Sequence, residues 1–249
     1  MINYLSLQTT QIMKIYIDNN ILIDYEKHRI ELPTDNITYF YSIVHLQELI
    51  ELGDRFYDLK DKRLETIYKL TNGHFIMDDD YQHLQRYIAD PNKMLISCMN
   101  PISMNIRESQ KMKLKTFATD EKRDTIIKEM GVDVRRLNNY TVSEIAKQFG
   151  PLIYYYINNT SDTRQNTFSS FFNILDLIGF WRDKLTKKSN MARAYDARHA
   201  YHASICDYFV TNDIRTLHKA NVVYQTYGYK TRAINYFDFL KLATKDCEL

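Results

Sequence analysis

Glycine is scarce, with only 6 in 249 residues, and neither phosphate-cradling arrangement that depends on it is present. There is no G-x-x-x-x-G-K-[ST] loop and no G-x-G-x-x-G turn, so readings built on a nucleotide cofactor lose their main support. Cysteine is sparse as well. Cys98, Cys206 and Cys247 are odd in number and far apart, giving neither a C-x-x-C metal site nor a disulfide framework. A reducing interior is their simplest home. No apolar stretch is long enough to span a bilayer, and the N-terminus lacks the basic-then-apolar layout of a signal peptide. The expectation is a cytoplasmic chain with no membrane partner. Internal repeats and low-complexity linkers are also missing. Net charge is small, +2 with a sequence pI ≈ 8.2. Such a balance neither demands nor excludes nucleic acid, because a basic groove can be offset by an acidic site.

What is present reads as an ordinary globular chain, 45% hydrophobic and 26% charged. Its length suits one large domain, or one domain with a substantial insertion, and is enough to bury a core without staples. The 20 tyrosines are unusual beside so little glycine. Tyrosine serves core edges or base stacking, and a core role is expected for most of them.

The ends of the chain alternate strand and helix. Lys14 to Ile17 is a short β-branched run that ends on Asp18. Asn19 and Asn20 then suit a turn and a helix cap, before Ile21, Leu22 and Tyr25 recur at helical spacing. Ile37 to Tyr41 predicts a second strand, and Ser42 caps the helix that carries Glu48. Asp196 to Ile205 predicts a helix whose Ala197, Ala200 and Ala203 permit close packing on a sheet. Tyr208 to Thr211, Val222 to Gln225 and Ala233 to Tyr236 predict further strands, with Asn212-Asp213 opening a helix to Ala220. Strands alternating with helices imply a mainly parallel sheet. From about Tyr57 to Asn190 the pattern is mostly helical, with weak boundaries at Asn72-Gly73, Asp90-Pro91 and Gly150-Pro151. Basic residues gather there at Lys111 to Lys115, Lys122-Arg123, Arg135-Arg136 and Arg182 to Lys188. Each cluster by itself reads as a solvated helix face; together they could line a channel for a phosphate backbone.

Ligands of open parallel sheets bind beyond the carboxyl ends of the strands. Asp18 and Asp213 fall at such ends, Glu48 lies in the helix after the second strand, and Asp196 is expected at the start of the helix before the Asp213 strand, where the helix dipole favours it. Asp196 and Asp213 stand 17 positions apart. An outgoing helix at about 1.5 Å per residue and a returning strand at about 3.3 Å bring them back together. The same geometry sends Asp207 to the far edge, as a capping residue. Four converging carboxylates repel one another unless cations intervene. An all-oxygen set of this kind suits Mg²⁺ or Mn²⁺, which bind phosphate oxygens. Singly, each Asp at a strand end reads more simply as a turn former or cap.

Three stretches resemble the PIN-domain family: Ile15 to Tyr25 around Asp18, Ser42 to Leu49 around Glu48, and Asp196-Ala197-Arg198-His199-Ala200 continuing through Cys206 to Asp213. The resemblance covers roughly residues 13 to 60 and 190 to 240. It implies a single PIN-like α/β domain with a central five-stranded, mainly parallel sheet flanked by helices and a large helical insertion over about 61–189. It also implies an endoribonuclease that hydrolyses RNA through a metal-activated water. In that reading Asp18, Asp196 and Asp213 hold the ion or ions directly, and Glu48 does so directly or through water. Asn20, Thr211 and Asn212 support the site. Arg193 and Arg198 hold the substrate backbone, and His199 lies beside the acids. A histidine in a helix packed on a sheet is more often structural, which is the expectation for His199 and His202.

The resemblance further implies an RNA substrate, a protein partner or inhibitor, a homo-oligomer, and a role as toxin or defence effector. The chain departs from small family members in its long middle, and Asn19 stands where a Thr is common. Three alternatives stay open beside it: an inactive PIN-like module that binds RNA or protein, a DNA-directed nuclease, and a phosphatase of the haloacid dehalogenase kind. The last wants Asp-x-Asp after its first strand, where this chain has Asp18-Asn19-Asn20.

Overall fold

In β1 (Met13–Ile17) the buried side chains alternate: Ile15 and Ile17 enter one apolar core and Tyr16 the other. That is the period of a strand covered on both faces. The computed structural model describes residues 12–53, 56–79, 83–99, 128, 137–158, 164–183 and 187–245. Within them β1 lies at the middle of a six-stranded sheet. Parallel to it on one side run β2 (Ile37–Ser42) and β3 (His74–Asp79), followed by an antiparallel edge strand β4 (His83–Ile88). On the other side run β5 (Tyr208–Val210) and β6 (Arg232–Ile234), both parallel. The chain fills one half of the sheet and then returns to β5 beside β1. The carboxyl ends of β1 and β5 therefore form the point where strand order reverses, the usual crevice for a ligand.

Helices cover both faces. One core is closed by α1 (Asn19–Glu26), α2 (Ile43–Glu51), α3 (Tyr57–Thr71), α4 (Pro91–Cys98) and α10 (Tyr236–Lys245). The other is closed by α5 (Val142–Gln148), α6 (Gly150–Asn158), α7 (Arg164–Ile178), α8 (Lys187–Ala203) and α9 (Ile214–Tyr227). Ala197, Ala200 and Ala203 are fully buried along α8, the small-residue face the sequence suggests. No helix among the described residues is long and apolar enough to cross a membrane.

The architecture is α/β and mostly parallel, with three departures from expectation. The sheet has six strands where five were expected, because β3 and β4 arise inside the stretch read as a helical insertion. Asn72 (φ 48°) and Gly73 (φ 75°) take left-handed backbone, ending α3 and turning the chain into β3. Gly73 is needed twice over, since a Cβ there would also approach Ala89 O at 3.0 Å. Val222 to Gln225 is helix and not strand. Thr216, Lys219, Ala220 and Val223 form a buried stripe at i, i+3, i+4 and i+7, and that face holds the β-branched pair in α9 until Gly228 ends it at φ 71°. Tyr236 likewise opens α10, so the last strand stops at Ile234. Asp207 does lie at the far edge of the sheet, where its Oδ2 accepts from Lys14 N at 2.8 Å. The basic clusters at Lys111 to Lys115, Lys122-Arg123 and Arg135-Arg136 lie outside the described residues, as do Lys184 to Thr186.

Candidate functional site

Asp18 follows β1 directly and caps α1, its Oδ1 accepting from Asn19 N at 2.7 Å. Its Oδ2 accepts from Asn20 Nδ2 at 2.6 Å and from the Thr211 hydroxyl at 2.7 Å. Thr211 sits just beyond β5, so these bonds lock the ends of the two switch-point strands together. Thr211 Oγ1 also accepts from Asn20 Nδ2 (3.1 Å) and from Asp213 N (3.1 Å). Asn212 N donates to Asn20 Oδ1 at 3.2 Å, while Asn212 Oδ1 accepts from Tyr236 N at 3.3 Å. Asp213 caps α9, accepting from Arg215 N and Thr216 N. Both aspartates thus sit at helix N-termini, where their carboxylates accept from the first backbone N–H groups.

Glu48 approaches from α2. Its Oε2 accepts from Asn19 Nδ2 at 2.7 Å, and its Oε1 lies 2.9 Å from His199 Nε2 on α8. His199 Nε2 is also 3.8 Å from Asp18 Oδ1. Asp196 lies three residues before His199, in the middle of α8 and not at its start, so no helix-end dipole serves it. Seven residues of helix remain beyond it, about 10 Å of rise. The returning β5 segment offsets that length and leaves Asp196 near Asp213.

Electrostatics tie the four acids into one cluster. Burial pushes the Asp18 carboxyl above the usual carboxylate range; Glu48 adds to the push, while His199 and the Thr211 hydroxyl oppose it. Asp196 keeps some solvent access, yet burial raises it most. The charges of Asp18, Asp213 and Glu48 raise it further, against the pull of Lys219. Asp196 thus feels the other three acids, and Asp18 feels Glu48.

The four acids form a donor set of the kind that holds a hard divalent cation. Its chemistry fits: four carboxylates supply hard oxygens, and Asn19 Oδ1 is buried beside them without a hydrogen-bond partner among the described residues. Its spacing is open. Among the described residues no three Asp, Glu, His or Cys side chains are drawn into ligating geometry.

The basic residues expected near the substrate are placed differently. Arg193 is buried and pairs with Asp176 Oδ2 at 2.5 Å, and its Nη1 donates to Asn173 Oδ1 at 3.1 Å, so it faces α7. It is an anchor for the middle of the chain and not a substrate hand. Arg198 stays partly exposed and donates to Gln47 on α2. His202 is buried, and its Nδ1 donates to Arg198 O at 2.8 Å, the structural role expected of it.

Several polar residues went unforeseen. Lys219, fully buried on α9, donates to Asp176 Oδ1 at 3.0 Å and Asp183 Oδ2 at 2.8 Å. Arg215 joins through Asp183 at 3.2 Å. A lysine inside the apolar stripe of α9 was the available signal. Beneath the acids, the buried Tyr16 hydroxyl lies 2.7 Å from Ser42 Oγ and 2.8 Å from His199 Nδ1. Burial raises that hydroxyl far above the ordinary tyrosine range, so it keeps its proton. His45 completes the group: its Nδ1 accepts from Ser42 N at 3.1 Å and its Nε2 reaches Ile17 O at 2.9 Å. No protein-family model, no curated protein and no solved structure matches the chain.

Proposed function

We propose that this chain is a PIN-like, metal-dependent endoribonuclease. The observation that carries the reading is that Asp18, Glu48, Asp196 and Asp213, from four separate elements, gather about the carboxyl ends of β1 and β5, where Thr211 ties Asp18 to the Asp213 backbone and His199 lies between Asp18 and Glu48. Buried like charges are costly and persist where a ligand neutralises them. Asp18, Asp196, Asp213 and Glu48 would hold one or two Mg²⁺ or Mn²⁺ ions. Such ions supply charge neutralisation, water activation and leaving-group stabilisation for in-line displacement at phosphorus.

The chain's own residues do the aiming. Asn20 and Thr211 fix both strand ends through Asp18 Oδ2. Asn19 and His199 hold the two oxygens of Glu48. Lys219 tempers the negative charge around Asp196 from behind. A water oxygen adds to phosphorus, and the 3′ oxygen leaves carrying a proton, giving 5′-phosphate and 3′-hydroxyl ends. The 2′-hydroxyl takes no part, so a preference for RNA resides in binding and not in the bond-breaking step. A cytoplasmic toxin or defence role, with a protein partner or inhibitor and self-association, rests on the family resemblance alone.

The test is cleavage of labelled RNA and matched DNA with Mn²⁺, Mg²⁺ or EDTA, comparing wild type with Asp18→Asn. The reading expects metal-dependent RNA cutting that disappears in the folded variant. Cutting of DNA alone would redirect it to a DNA nuclease. Failure to cut either polymer would leave a binding module.

A further inference from the structure

Among the described residues, one assignment of hydrogens gives every member of the polar group beneath the acids a well-placed partner. Ser42 is fully buried and its Oγ accepts from Val44 N at 3.2 Å, capping α2. Among the described residues its own hydrogen has one acceptor, the Tyr16 oxygen at 2.7 Å. Tyr16 must then send its hydrogen elsewhere. His45 Nδ1 is 3.4 Å away and already accepts from Ser42 N, which leaves His199 Nδ1 at 2.8 Å. A ring nitrogen that accepts carries no hydrogen, so the remaining one sits on His199 Nε2. That hydrogen points to Glu48 Oε1 at 2.9 Å. Reversing the Tyr16–His199 link would leave the Tyr16 hydrogen, among the described residues, only the longer contact to His45 Nδ1, whose lone pair already serves Ser42 N.

We propose that Tyr16 is a positioning residue: it fixes His199 in the Nε2–H tautomer, and the fixed imidazole turns Glu48 toward the other acids. The effect on metal binding rests on the proposed function; the tautomer itself does not. Glu48 is then held on both oxygens, by Asn19 from α1 and by His199 from α8. The relay runs from the cap of α2 through β1 to α8 and back to α2, closing a loop over three elements. Outer partners of this kind orient a ligand and keep its lone pairs facing the cation. The absence of a second hydrogen on His199 also leaves no donor aimed at Tyr16, so the two sides of the ring have distinct tasks.

The experiment combines nitrogen NMR of the histidine rings with Mn²⁺ titration calorimetry on the full chain. In wild type at neutral pH, His199 should show a protonated Nε2 and a bare Nδ1. Tyr16→Phe should mix the two tautomers and weaken Mn²⁺ about 10- to 100-fold. A wild-type spectrum with hydrogen on Nδ1 overturns the relay. Unchanged Mn²⁺ affinity in Tyr16→Phe, beside normal wild-type binding, overturns the positioning role. Should Tyr16→Phe fail to fold, His199→Gln and His199→Leu decide the matter. Gln keeps a donor near the Nε2 position and should retain affinity that Leu loses; equal affinities overturn the role. A wild type that binds no Mn²⁺ defeats the proposed function instead, and the ring spectrum still judges the relay.

Discussion

Asn19 Nδ2 donates to Glu48 Oε2 at 2.7 Å, tying the first residue of α1 to the acid of α2. The bond orients a carboxylate that would otherwise swing on a flexible side chain. Asn19→Leu keeps the volume and removes the donor. Its Mn²⁺ affinity should fall about 10- to 100-fold by calorimetry, as for other outer partners of metal ligands. Wild-type affinity in the variant would mean that Glu48 needs no such help.

Lys219 is buried against Asp176 and Asp183, with its ammonium 5.6 Å from the Phe172 ring. Removing one member of a buried pair strands the other charge. Lys219→Ala should therefore cost about 3–5 kcal/mol in urea unfolding. Arg193 still pairs with Asp176, so adding Asp176→Asn would strand Arg193 in turn and should deepen the loss. A cost below about 1 kcal/mol, as for a surface pair, would contradict this view of the network.

Local pattern carried much of the fold. β1 and its closing Asp18, the Ser42 cap, the alanine face of α8 and the β5–Asp213 junction were all legible, because each is written in a few adjacent residues. β3 escaped because its Phe-Ile-Met run is too short to distinguish from a helix segment, and only the left-handed pair Asn72-Gly73 marks the break. Val222-Val223 misled because burial on the α9 stripe outweighed β-branched preference. The polar relay was out of reach for a different reason. Tyr16 and His199 are 183 positions apart, and no periodicity announces a hydrogen bond over that distance. Arg193 sits close in sequence to Asp196, but its geometry belongs to Asp176.

His202 offers a test in pH. Burial pushes it down to about 3 from an ordinary value of 6.5. Above 6.5 both folded and unfolded forms are neutral, and its contribution is fully present. As pH falls below 6.5, the unfolded chain takes up a proton that the fold refuses. Wild type should thus lose about 1.4 kcal/mol per pH unit relative to His202→Gln between roughly pH 6 and 4. Comparing the two proteins cancels the opposite drift from the raised acids Asp18 and Asp196. A constant difference across that range would contradict the buried, uncharged ring.

Asp196 predicts a trade between stability and binding. Its carboxylate is disfavoured by burial and by Asp18, so a neutral amide should suit the metal-free fold better. Asp196→Asn should melt higher than wild type in EDTA and gain less from added Mn²⁺. A lower melting point in EDTA would mean that the charge is needed by the fold itself, through Lys219.

The most direct measurement is calorimetric titration of Mn²⁺ into wild type and Asp18→Asn, both checked for folding beforehand. The four-carboxylate centre predicts saturable binding of one or two ions in wild type, and its loss or severe weakening when Asp18 becomes neutral. Equal binding in the two proteins, or none in wild type, would contradict it.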